Sequence, residues 1–137
     1  MKLKFSIILI LLITFSSCIE KNTSDPQEAY SYWMKSAKDS KIEVINGKYW
    51  ESSHFSHEYI IYLELKVNAE WWDKFSKENE LVIDTYQNET LYNNDFPKWF
   101  KPNQEFVKYT LNANSDQGSM YFYNEKTHSV FIYEIQL

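Results

Sequence analysis

The apolar positions of residues 25–137 follow two different periods, and the switch between them predicts the elements. Ala29, Tyr30, Trp33, Met34 and Ala37 recur at spacings of three and four, the stripe of an amphipathic helix. Asp25-Pro26-Gln27-Glu28 supplies its start: Asp25 caps, Pro26 suits the first helical position, and Glu28 completes a capping box. This helix is predicted to run to about Lys38. The period then drops to two. Lys41–Asn46 and Lys48–Ser53 read as strands joined by Asn46-Gly47, a dipeptide suited to the positive φ angles of a tight hairpin turn. Glu58–Val67 (EYIIYLELKV) is the clearest strand, with Tyr59, Ile61, Leu63, Leu65 and Val67 on one face and Glu64 and Lys66 on the other. Asn68 caps a second helix, AEWWDKFSKEN, that turns Trp72 and Phe75 inward, with Val67 and Trp72 placed as a hydrophobic staple. Leu81–Tyr86 is a weaker strand. A long loop follows, centred on Pro97-Lys98-Trp99-Phe100-Lys101-Pro102, and the chain finishes as a meander of Glu105–Leu111, Ser119–Asn124 and Ser129–Gln136. The class is α+β: a mainly antiparallel sheet of about five to six strands with two helices packed on one face.

The N-terminal pattern is of another kind. In MKLKFSIILILLITFSSC, Lys2 and Lys4 form a basic region, and Phe5–Phe15 is an apolar run too short to span a bilayer as a helix. Ser16 and Ser17 are the small residues that precede a processing site, and Cys18 is the only cysteine of the chain. The stretch resembles a bacterial lipoprotein signal, in which the lipobox cysteine is acylated and becomes the first residue after cleavage. Phe15 stands where that family usually has Leu, Val or Ile. The resemblance divides the chain into a signal over residues 1–17, a tether over 18–24 and one domain over 25–137. Two or three acyl chains hold a protein stably, at about 0.8 kcal/mol for each buried methylene. Ile19 after the cysteine, with no aspartate there, favours the outer membrane by resemblance to enterobacterial lipoproteins. A seven-residue tether reaches at most about 24 Å, which keeps the domain near the membrane surface.

Composition narrows the function classes. Removing residues 1–17 leaves 120 residues, room for one domain with a core of its own. The remainder carries 12 lysines against 19 acids, a net charge of −7, and the chain has no arginine. Arginine is the preferred residue for bidentate phosphate recognition, so nucleic acid is not among the expected partners. With Cys18 acylated, no thiol remains for a disulfide, a metal or catalysis, and the fold has to be stable without cross-links. Five Trp, eleven Tyr and nine Phe supply the compensating buried area.

Candidate chemistry is sparse. His54 and His57, beside Glu58, are weak metal candidates that need a third ligand such as His128, and their three-residue offset on a strand points them to opposite faces. No metal site, cofactor or catalytic residue is therefore expected. No Gly-x-Ser-x-Gly elbow and no glycine-rich phosphate loop is present, so the chain is read as a non-enzyme. Carboxylates such as Glu51, Glu58 and Glu64 lie on or beside strands without a fixed separation. The aromatics are the better binding candidates. Trp71 and Trp72 cannot both face the core, which leaves Trp71 partly exposed. Trp99 and Phe100 lie in a loop, where they either bind a ligand or fold back to plug the end of the sheet. Tyr121 and Tyr123 form a second candidate surface, with Tyr133 if the register allows.

These features lead to a lipid-anchored, non-catalytic envelope protein that binds a protein partner, as an inhibitor or immunity-like module or as an accessory subunit. The similarity to inhibitor and immunity proteins is one of size, charge and anchor. A net charge of −7 favours a basic partner by steering its approach. The alternative is a glycan- or peptidoglycan-binding module using Trp71, Trp99 and the tyrosines.

Overall fold

A computed structural model describes residues 19–35, 41–53, 58–85, 95–112 and 116–137. Cys18, the 1–17 signal, Ala37, His54, His57 and Tyr86 lie outside the described residues. The elements are β1 (Lys21–Thr23), α1 (Pro26–Met34), β2 (Glu43–Glu51), β3 (Tyr59–Lys66), α2 (Ala69–Glu78), β4 (Leu81–Ile83), β5 (Val107–Leu111), β6 (Met120–Asn124) and β7 (Ser129–Gln136). All pairings are antiparallel, in one seven-stranded sheet of order β1-β2-β3-β7-β6-β5-β4. The α+β class holds, with slightly more strands than the sequence pattern predicts.

Both faces of the sheet are covered, each by different means. On the helical face, Val44, Tyr49, Ile61, Leu63, Leu65, Tyr121, Tyr123, Val130 and Ile132 are buried with Ala29 and Tyr30 of α1 and Trp72 of α2. Trp72 stacks on Tyr123 at 4.5 Å and meets Tyr109 edge-on, so α2 sits over β5 and β6. On the other face, Tyr62, Phe122 and Phe131 are buried under Phe100, with Phe96, Trp99 and Phe106 packed around them. This two-sided cover accounts for the near-continuous apolar reading of β3 and β7. Trp99 and Phe100 do fold back, but onto the flat of the sheet rather than its end.

Four local expectations need correction. Asn46-Gly47 is not a hairpin turn, because β2 runs through it as one strand paired with β3, with a bulge between Val44 and Asn46. Gly47 is there for space: a Cβ on it would come within 2.9 Å of Pro26 Cα and 3.0 Å of Ala29 Cβ. The second strand thus passes directly beneath α1. The predicted tether is also partly structured, since Lys21, Asn22 and Thr23 pair with Glu51, Trp50 and Tyr49 as an edge strand. At the start of α1, Asp25 Oδ1 accepts from the Glu28 amide at 2.8 Å, as expected of a cap. The Glu28 carboxylate, however, accepts from the hydroxyls of Thr23 and Tyr32 instead of closing a capping box. Those two bonds hold its carboxyl below the usual range. Finally, α1 stops at Met34 because Lys35 turns left-handed, its φ being 49°. The second helix follows expectation: the Asn68 side chain accepts from the Trp71 amide at 2.7 Å, and Val67 and Trp72 are both in the core.

Candidate functional site

Among the described residues, the sheet and the two helices leave a large concavity on the helical face, at the end of the sheet where β1 begins. It is a cleft of about 770 Å³, lined by the C-terminal halves of α1 and α2 and by the sheet residues Lys21, Tyr49, Glu51, Tyr59, Glu134 and Gln136. Helix carbonyls left without intrahelical partners make such C-terminal ends partially negative.

Glu134 forms the floor. Strand β7 alternates, so Val130, Ile132 and Glu134 all turn to the helical face, and Glu134 puts a charge where the pattern calls for an apolar side chain. The register places Ile61 opposite Glu134 and Ile132 opposite Tyr121. Tyr59 on β3 and Tyr121 on β6 are therefore diagonal neighbours of Glu134, within reach of long side chains. Tyr121 donates its hydroxyl to Glu134 Oε1 at 2.8 Å, and Tyr59 donates to Oε2 at 3.2 Å. From α1, Trp33 Nε1 donates to Oε2 at 2.8 Å. One carboxylate thus joins α1, β3, β6 and β7. Burial raises the Glu134 carboxyl above its usual range, and the hydrogen bonds from Trp33, Tyr121 and Tyr59 partly oppose that shift. In return Tyr59 is pushed up to about 12, mainly by burial and then by the charge of Glu134. Tyr121 is pushed up for the same two reasons.

A second carboxylate, Glu51, sits at the rim. It accepts from the Tyr49 hydroxyl at 2.6 Å and pairs with Lys21 Nζ at 3.0 Å. The same ammonium lies 5.2 Å from the centre of the Tyr32 ring, in cation–π range. Tyr49 and Tyr59 stack behind it at 6.2 Å, and across the cleft Trp33 contacts Phe75 at 5.8 Å. The arrangement is a pocket with aromatic walls, carboxylates at floor and rim, and one ammonium already bound between a carboxylate and an aromatic face.

None of the aromatics singled out from sequence for binding lines the cleft. Tyr121 reaches it only through the hydroxyl it donates to Glu134, and is itself buried, 1% exposed. Tyr123 is buried against Trp72, and its hydroxyl meets His128 Nδ1 at 2.9 Å. Tyr133 pairs with Met120 and so lies on the opposite face, which removes the expected Tyr121–Tyr123–Tyr133 surface. Phe100 is 1% exposed and belongs to the second core. Trp71 and Trp99 are half-buried, but Trp71 stacks on Phe75 above the helical face and Trp99 packs over the other, so the two do not converge. Sequence reasoning missed Glu134, Trp33 and Tyr59 as a group. Its available signal was Glu134 itself, in phase with Val130 and Ile132. Among the described residues no group of three or more His, Cys, Asp and Glu is placed to hold a metal.

By fold and site this is an α+β sheet protein with a single layer of helices and an aromatic, acidic cleft at one end. The chain matches no protein-family model, and no curated protein or solved structure shows significant similarity to it.

Proposed function

We propose that the chain is a lipid-anchored, non-catalytic protein of the cell envelope that binds a protein partner, with Cys18 as the acylated residue and the outer membrane as the favoured location. The observation that carries the binding reading is the cleft over Glu134: a preformed concavity with aromatic walls and a few fixed polar groups, the usual make-up of a recognition site. The net charge of −7 on the chain after Cys18 supports a basic partner, whose association it would steer. The glycan alternative is less well supported. Of its stacking candidates, Tyr121 and Tyr123 are buried, and Trp71 and Trp99 serve opposite faces.

The test is affinity capture of the full-length, crosslinked protein from its own cells, with Cys18→Ala as the control for anchoring. One stoichiometric protein partner, weakened by high salt, is the expected result, and its identity chooses between inhibitor and accessory subunit. Retention of cell-wall fragments without a protein partner would retire this reading in favour of the glycan one.

A further inference from the structure

We infer that the cleft is a receptor for a lysine side chain of the partner, whose ammonium group it takes over Glu134. The inference rests on the binding reading above and adds the chemistry of the bound group. Three features of the cleft point to a cation. Glu134 is ionisable and half-buried in the cleft lining, yet its hydrogen-bond donors are all neutral: Trp33, Tyr59 and Tyr121. The C-terminal ends of both α1 and α2 border the same space, and their partial negative charge favours a cation. The walls are aromatic faces, which attract ammonium groups within about 6 Å of a ring centre.

Lys21 supplies an internal precedent. Its ammonium already lies between the Glu51 carboxylate and the Tyr32 ring at the rim of this cleft, at 3.0 Å and 5.2 Å. The same combination of carboxylate and aromatic wall recurs at Glu134 beside Tyr59 and Trp33; among the described residues Lys35 also borders the cleft, but no lysine pairs with Glu134. Acceptor counting separates lysine from arginine. A carboxylate offers about four lone-pair sites. Tyr59 and Trp33 use two on Oε2 and Tyr121 uses one on Oε1, which leaves a single site on Oε1. A guanidinium binds best through two parallel hydrogen bonds, whereas an ammonium is a compact point donor that one site satisfies. The cleft of about 770 Å³ is ample for the four-carbon stem, whose methylenes would lie along Phe75 and Trp33.

The experiment uses the full-length chain in non-ionic detergent micelles, with the Trp33 indole N–H followed by NMR and assigned through Trp33→Phe. The probes are Nα-acetyl-lysine methylamide and its Nε-acetylated counterpart, which differ in the charge. The expected result is a saturable shift at millimolar lysine probe, at least about tenfold weaker with the acetylated probe because the charged contact is gone. Glu134→Gln should abolish the response. Because that substitution also disturbs three hydrogen bonds, the two probes on the unaltered protein are the deciding comparison. Equal response to both probes, or no response to either, overturns the inference. A response to phosphatidylethanolamine nanodiscs and none to the lysine probe also overturns it, and gives the site to a lipid headgroup. The lysine site and the protein partner are tested separately. Partner capture that survives Glu134→Gln sinks the lysine receptor and leaves the partner reading intact. A positive lysine probe with no captured protein does the reverse.

Discussion

Replacing Gly47 with alanine tests how α1 is seated, and through α1 the wall of the cleft. A Cβ at position 47 would lie 2.9 Å from Pro26 Cα, 3.0 Å from Ala29 Cβ and 3.2 Å from the Pro26 carbonyl oxygen. Carbon atoms pack comfortably at ~3.5–4.0 Å, so the first turn of α1 must lift by roughly 0.5–1 Å. Two of the three obstructing atoms belong to the backbone, and no change of rotamer moves them. Overpacking of this kind costs about 1–3 kcal/mol. For a domain of this size that corresponds to a fall in Tm of roughly 4–15 °C. Urea unfolding followed by tryptophan fluorescence and by far-ultraviolet circular dichroism gives the number. Ala29→Gly supplies the decisive control. Alone it should cost about 1–2 kcal/mol, the helix-propensity difference between glycine and alanine plus the lost burial of one methyl. Combined with Gly47→Ala it removes one of the clashing atoms, so the double variant should be more stable than the sum of the two losses by at least ~0.5 kcal/mol. A glycine in a turn would show no such coupling to a helix residue. Strict additivity, or an unchanged midpoint for Gly47→Ala, refutes the close-approach argument.

Three further outcomes follow from the packing and the titrating groups. Phe100→Ala should cost ~3–5 kcal/mol in urea unfolding, because it uncovers Tyr62, Phe122 and Phe131 together. Trp99→Ala should cost clearly less, since Trp99 is half-buried, and an equal or larger loss would contradict the assignment of Phe100 as the centre of that cover. The Glu134 carboxyl is raised in the fold, so the fold prefers its neutral form. The stability this provides is fully present below the ordinary carboxylate range and is lost as pH rises through the raised value. The stability of the natural chain relative to Glu134→Gln should therefore fall on going from about pH 4 to about pH 7, and a flat or rising difference would be evidence against a raised Glu134 carboxyl. In alkali, Tyr59 and Tyr62 are each pushed up to about 12, in both cases chiefly by burial. Their contribution is intact below about pH 10, the value of an exposed phenol, and is lost as pH rises toward 12. Ultraviolet absorbance of the phenolates should show this late titration, and early ionisation in a chain that stays folded would count against it.

The elements that were legible in the sequence are those whose signals are local. Asn68 followed by AEWWDKFSKE contains its own cap and staple, and α2 appears where these put it. β3 and β7 were legible because eight consecutive residues in each are dominated by strand-forming side chains. Asn46-Gly47 misled for a physical reason. A turn and a close helix approach both select glycine, the one for its φ and the other for its missing Cβ, and only the tertiary position of Pro26 distinguishes them. The short β1 was illegible because Lys21-Asn22-Thr23 has no strand pattern, and its order comes from pairing with β2 and from the Lys21–Glu51 contact. The candidate aromatics failed in a similar way. Tyr121 and Tyr123 alternate correctly, but alternation does not say which face is covered, and here both are.

The cleft was hidden for a deeper reason: its parts come from six elements and converge only through register. Glu134 carries the one local clue, a carboxylate in phase with Val130 and Ile132 on the buried side of a strand. A charge in that position is costly unless it is hydrogen-bonded. The three donors that satisfy it, from positions 33, 59 and 121, also fix the carboxylate in place at the cleft. Structural satisfaction and readiness to bind are thus the same arrangement. Under the proposed anchoring at Cys18, the edge strand would carry it toward the membrane. Lys21 lies at the rim three residues after Cys18, a span of at most about 10 Å. With Cys18 acylated as proposed, the mouth of the cleft would stand close to the lipid surface. A partner would then have to present its lysine from a membrane-adjacent segment, which restricts the partner by geometry as well as by charge.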